Sequence, residues 1–156
     1  MEKIGDNLCY TDTDSLIYLR EKGQPDPVAE MRGEWLGMLT SEIPEGWRMT
    51  KFVSPAAKVY SYLLENDNGQ VRVVTKAKGV TLDHTAATAV NYDGMERIVR
   101  DYVENNSTSV LSAQSTIFKR TLGHIQTADL TKRTGVVMDK LRFLPDYSTL
   151  PYGYSL

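Results

Sequence analysis

Cysteine is almost absent from this chain. Cys9 is the single one among 156 residues, which excludes an internal disulfide framework. It lies in an apolar run, where a buried, inert thiol is expected rather than a nucleophile. Histidine is nearly as scarce: His84 and His124 are far apart in sequence, and with one cysteine they do not make the ligand set of a structural zinc site. Long hydrophobic runs are missing too. None approaches the roughly 18 residues of a membrane span, so no membrane partner is expected. The opening "MEKIGDNLCY" lacks the charged-then-apolar pattern of a secretory leader, so secretion is not indicated. Internal repeats and low-complexity segments are also absent. What is present, 41% hydrophobic and 24% charged residues, is the composition of a globular protein, sized for one domain or two small lobes.

The net charge of −2 hides an uneven distribution. Residues 1–50 carry ten acidic and five basic side chains, whereas 51–78 carry five basic and two acidic. Residues 79–118 are acidic again, and the stretch from Lys119 onward has six basic and three acidic residues. Such a mosaic suits cations at one place and phosphates at another, although charge counts alone favour a mixed solvated surface.

Leu8–Thr11 and Ser15–Leu19 read as two strands joined at Asp-Thr-Asp. "EKGQPDP" (21–27) is a loop. Residues 28–43 carry Val28, Met31, Trp35 and Met38 at helical spacing and predict a helix, which Gly33 and Gly37 weaken. Residues 47–66 hold a strand start, a break at Pro55 and a second strand from Lys58 to Leu64. "DNG" (67–69) is a hairpin turn, and 70–79 is the returning strand. Residues 88–106 read as a helix, best from Gly94, with Met95, Ile98, Val99, Tyr102 and Val103 on one face. Strands follow at 109–122, 124–133 and 135–144, with Lys-Arg-Thr-Gly (132–135) as a turn.

The stretch "LCYTDTDSLIYL" (8–19) places two carboxylates, Asp12 and Asp14, one residue apart between apolar runs. If the backbone stays extended through the turn, both face the same side. Their mutual repulsion raises their pKa values unless a cation is present, and carboxylate oxygens are the preferred ligands of Mg²⁺. A short hairpin offers an open site, to be completed by water and substrate phosphate, as in two-metal phosphoryl transfer. Against this stands plain turn chemistry, in which Asp bonds nearby N–H groups; on Asp-x-Asp alone that reading is the stronger. A calcium loop is excluded, because no Gly and no Glu occupy its diagnostic positions.

The longer string "YTDTDSLIY" resembles the Tyr-x-Asp-Thr-Asp-Ser motif in the palm of family B DNA polymerases. "LGMLTSEI" (36–43), "FVSPAAKVYSY" (52–62), "KAKGVTL" (76–82) and "TLPYGY" (149–154) follow in the order found in protein-primed members, those of adenovirus and of Polinton/Maverick-type DNA transposons. The likeness runs from about residue 7 to 83, with the last hexapeptide as a further match. It implies an α+β fold: a partial polymerase palm over 1–84 with a catalytic β-hairpin, and a small thumb-like lobe of helix and antiparallel strands over 85–156. It also implies template-directed nucleotidyl transfer to a primer 3′-hydroxyl with Mg²⁺ at a two-metal site. Expected partners are a DNA primer–template, deoxynucleoside triphosphates and a terminal protein primer.

By the same resemblance Asp14 is the direct metal ligand and Asp12 its essential neighbour, the two together forming the catalytic pair. Tyr10 packs near the primer end. Lys58 and Tyr60 match the Lys-x-Tyr motif that contacts the primer strand, and an ammonium beside a phenol suits a phosphate. Lys76 and Lys78 share a face if extended and suit duplex-backbone contacts, with a solvated strand face as the competing reading; Thr13 and Ser15 are expected as nucleotide contacts. Tyr60 and Tyr62 share a strand face, so sheet packing competes with a functional role for at least one of them. The chain departs from the family in having Pro-Ala-Ala (55–57) where Gly-Pro precedes the lysine, which changes the turn that aims Lys58. The resemblance places a further palm aspartate, a nucleotide-gripping lysine and an exonuclease before these residues in a complete enzyme, so the chain by itself is expected not to synthesise DNA. Two other classes remain open: a catalytically inactive remnant serving as a DNA-binding or structural module, and, less well supported by the scattered acidic residues, a small metal-dependent nuclease.

Overall fold

The computed structural model describes residues 3–137, 141–143 and 149–151. The fold is mixed α+β with antiparallel sheets. Strands β1 (Leu8–Asp12) and β2 (Ser15–Tyr18) form the expected hairpin, with Asp12 opposite Ser15 so that Thr13 and Asp14 make the turn. Thr13 has φ +56°. A left-handed residue there follows the right-handed twist of the two strands, but a β-branched side chain in that region is strained. Local hydrogen bonds hold it: the Thr13 hydroxyl donates to Asp12 Oδ1 (3.2 Å) and Ser15 Oγ donates to the Asp12 carbonyl (3.0 Å).

A three-stranded sheet follows, β3 (Trp47–Ala56), β4 (Val59–Asn66) and β5 (Val71–Ala77), in that spatial order. The second hairpin turns at Asp67–Gly69 as expected. Asn66 Oδ1 accepts the N–H groups of Asn68 (3.1 Å) and Gln70 (2.9 Å), and Gly69 takes φ +74°. The break expected at Pro55 does not occur. β3 is an outer strand, and Pro55 sits where its register with β4 slips between Val53 and Ala56, so no ladder donor is lost. Lys58 is not a strand residue either; with Ala57 it forms the β3–β4 turn, at φ +61°.

The helix expected over 88–106 is two. α1 (His84–Ala89) ends at Val90, and Asn91 caps α2 (Tyr92–Asn105) by accepting the Gly94 N–H at 2.9 Å. On α2, Met95 and Ile98 are wholly buried, Val99 and Tyr102 are half-buried, and Val103 is exposed. The core joins Val53 and Val59 of the sheet to Ala86, Val90, Tyr92, Met95 and Ile98, then to Leu111 and Ala113 beyond the helices. One apolar cluster therefore crosses residue 84.

β6 (Val110–Thr121) and β7 (His124–Gly135) make a long ribbon. Leu111, Ala113 and Ser115 are buried at its base, and its far half is exposed. The turn expected at 132–135 is strand instead, with Thr134 opposite Leu111 and Gly135 opposite Val110. Gly135 serves close approach there: a Cβ would lie 3.0 Å from Val110 Cγ1. Of the strand expected over 135–144, only β8 (Leu141–Phe143) lies beyond β7, and it pairs with β9 (Thr149–Pro151). Residues 138–140 and 144 of that expectation, and 152–154 of the final motif, fall outside the described residues.

Two further expectations fail. Residues 28–43 form no helix. A single 3-10 turn at Ala29–Met31 gives way to extended backbone at Arg32, and the chain closes a loop through Gly33 N–H to Leu39 O (3.1 Å) and Leu39 N–H to Met31 O (2.8 Å). Gly37 at φ +90° lies outside helical space. Trp35, placed by its spacing on a buried face, is 81% exposed, and its neighbour Leu36 is wholly exposed. The hairpin consequently packs on no helix there; it is tied to this loop by polar contacts. Tyr18 Oη donates to Asp26 Oδ1 (2.5 Å), while Arg32 donates to Asp26 Oδ2 (2.7 Å) and to Tyr18 Oη (3.1 Å). Finally, Cys9 is exposed rather than buried, its thiol 3.6 Å from the Asn7 carbonyl.

Candidate active site

The turn of the first hairpin and the turn between β3 and β4 meet. Alternation along β1 sends Tyr10 and Asp12 to the same side, toward the larger sheet. There the Tyr10 ring packs on Tyr60 (centroids 5.0 Å) and Phe52 (5.9 Å), and Tyr60 stacks on Tyr62 (6.3 Å, planes 14° apart). Tyr60 and Tyr62 do share a face, and that face is the floor on which the hairpin rests. Each such aromatic pair contributes about 0.5–1.5 kcal/mol beyond simple burial. Burial pushes the Tyr60 and Tyr62 hydroxyls up, with the Glu42 carboxylate adding to the effect, so both phenols remain donors at neutral pH.

On this floor Lys58 and Asp12 pair directly. Lys58 Nζ lies 2.7 Å from both Asp12 oxygens, across a separation of 46 residues. The Lys58 backbone N–H donates to Tyr10 Oη at 3.0 Å, and the Lys58 carbonyl accepts the Lys78 N–H at 3.0 Å. The bonded ammonium holds the Asp12 carboxyl below its ordinary value, and the same bond pushes Lys58 up. Lys78 acts on Asp12, and Asp14 on Lys58, through space. Asp14 itself is exposed, and among the described residues no side chain or amide bonds to it.

Most of the residues singled out from the sequence thus converge. Tyr10, Asp12, Lys58 and Tyr60 are in contact, with Asp14 and Lys78 beside them. Lys76 stands opposite Tyr60 on β5 and is exposed. Thr13 and Ser15, expected at a nucleotide, spend their hydroxyls on Asp12 within the turn. The two carboxylates do not project from one extended strand, because the chain reverses between them; Asp12 alone bonds the Lys58 ammonium, and Asp14 acts on it only through space. Phe52 and the Tyr18–Asp26–Arg32 cluster were not expected. Phe52 stands opposite Tyr62, a position that only the β3–β4 register supplies, and no spacing signals the cluster.

The donor set suits Mg²⁺ in kind: hard carboxylate oxygens, few in number, of the sort that hold this ion together with substrate phosphates. Among the described residues no group of three or more His, Cys, Asp or Glu side chains is placed to hold a metal. No helix among them is long and apolar enough to cross a membrane. In comparisons with protein families, curated proteins and solved structures, the chain matches none.

Proposed function

We propose that this chain carries the primer-gripping and metal-presenting part of a family B-type DNA polymerase palm. One observation carries the reading: the Lys58 turn is docked on the Asp12 hairpin through both its ammonium and its backbone N–H. Two short motifs far apart in sequence, each weak by itself, thereby become neighbours, as a shared site for a primer terminus requires.

In this reading the carboxylates of Asp14 and Asp12 would hold Mg²⁺, and the ion would supply Lewis-acid chemistry at the primer hydroxyl and at the phosphate oxygens on which negative charge develops. Lys58 supplies positive charge for a backbone phosphate, and its pinned turn fixes where that charge is offered. Tyr10 and Tyr60 form the surface beneath it. Exposed Lys76 and Lys78 extend the positive strip along the sheet edge, and Lys119 and Arg120 on the ribbon add to it at a distance.

A second reading, a DNA-binding module without catalysis, draws support from the two-carboxylate donor set and from the engagement of Asp12 by Lys58. Primer extension with Mg²⁺ and all four nucleotides separates the two in a longer protein that contains this segment. For the chain alone, duplex binding is the test. Lys58→Ala and Lys76→Ala should each weaken it, and neither should depend on duplex sequence. Wild-type affinity in both variants would remove the primer-gripping role.

A further inference from the structure

We propose that Asp12 restrains Lys58: the Asp12 carboxylate and a nucleic-acid phosphate compete for the one ammonium, so that Asp12 sets how much of Lys58 is available to the duplex. This rests on the primer-gripping reading above.

The ammonium has three donors, and in the paired state two of them are spent on Asp12 at 2.7 Å each. The pair is nevertheless accessible, with the Lys58 side chain 52% exposed and that of Asp12 28%. Ion pairs in contact with water exchange partners readily, because solvent screens the attraction and each group is rehydrated on leaving.

The backbone makes that exchange local. The Lys58 N–H is held by Tyr10 and its carbonyl by the Lys78 N–H, so the turn keeps its shape whether or not the ammonium sits on Asp12. Only the flexible four-carbon stem has to move. Lys78 lies close enough to act on Asp12, so the carboxylate keeps a positive neighbour when Lys58 leaves. Asp12 and Asp14 together also repel an approaching phosphate, which makes the ammonium the decisive group at this tip.

The test is duplex binding by fluorescence anisotropy over a salt series, on samples shown to be folded by circular dichroism. Asp12→Asn frees the ammonium. Affinity should rise several-fold at low salt, and the log–log salt slope should steepen by about 0.9, the signature of one more neutralised phosphate. In a Lys58→Met background Asp12→Asn should change the slope by nothing. Asp14→Asn makes the same charge change without touching the Lys58 hydrogen bonds, and its slope should stay that of wild type. Asp12→Glu, which retains the charge, should behave as wild type. An unchanged slope in Asp12→Asn, or a steepening that persists without Lys58, overturns the inference while leaving the primer-gripping reading intact. A folded wild type and Asp12→Asn that both fail to bind at 50 mM salt remove that reading, and this inference with it.

Discussion

Asp12 carries its charge against a lysine, and the sign of the resulting pH dependence follows from the two shifts. A carboxyl whose folded pKa is depressed contributes stability above its unfolded value, near 3.9, and loses it as pH falls through the lower folded one. A lysine whose pKa is raised contributes below its unfolded value, near 10.4, and loses that contribution as pH rises through the folded one. The ion pair between hairpin and sheet is therefore held across the neutral range and lost at both extremes, while the Tyr10 packing on Tyr60 and Phe52 does not titrate with it. Carbon-detected NMR titration of Asp12 should give a lower midpoint in wild type than in Lys58→Met; equal midpoints would show that the pair does not form in solution. Asp14 differs, because nothing described holds it. In a longer enzyme containing this segment, Asp14→Ala should abolish nucleotide incorporation and leave duplex affinity nearly unchanged, since the metal acts on chemistry and phosphate contacts on binding. Near wild-type extension would exclude the role. The identities of Tyr10, Asp12, Lys58 and Tyr60 were legible in the sequence. The left-handed backbone at Thr13 and Lys58 was not, because neither residue type announces it.

Elements were legible where local chemistry and tertiary packing agree. Asn66–Gln70 is such a case, with a side chain and a glycine both committed to the turn. The α2 face centred on Met95 and Ile98 is another. Met95→Ala should cost about 2–5 kcal/mol, because its side chain is wholly enclosed and the core around it belongs to both sheet and ribbon. Asn91→Ala should cost about 1 kcal/mol through loss of the cap that restarts the helix. Chemical denaturation measures both, and a Met95→Ala variant as stable as wild type would place the core elsewhere. Residues 28–43 misled for a physical reason: helical spacing of Val28, Met31, Trp35 and Met38 requires a surface to bury against, and the loop closes on itself before one is met. The run 132–135 misled because its glycine marks close approach to Val110, not a reversal.

Across the whole molecule, basic residues gather on the edge of the sheet and along the outer ribbon while the net charge stays near zero. Duplex affinity should therefore be modest and strongly dependent on salt. With about three or four phosphate contacts at a slope of about −0.9 each, it should fall on the order of 40- to 150-fold between about 50 and 200 mM salt. Primer extension by the chain alone should be undetectable, since in the proposed reading Asp12 and Asp14 would supply only part of a two-metal site. Measurable extension would show that the two carboxylates suffice. The two hairpins, the helix around Met95–Ile98 and the strands after it could be read from periodicity and turns, whereas the helix read at 28–43 could not stand. The docking of the first turn on the second could not, since it depends on a path through the intervening loop that no spacing encodes.

The two turns that meet at Lys58 also differ from their contact in how they come to exist. Each hairpin closes through a two-residue connection, Thr13–Asp14 or Ala57–Lys58, and hairpins of this kind form in about 1–10 μs. Their junction spans 46 residues, so its closure entropy falls due only after both are in place. The junction is then the last part of this region to assemble and the first to open. In native-state hydrogen exchange the Lys58 amide, held by a tyrosine hydroxyl from the other hairpin, should be released in small openings, whereas the amide of buried Leu64 should await global unfolding.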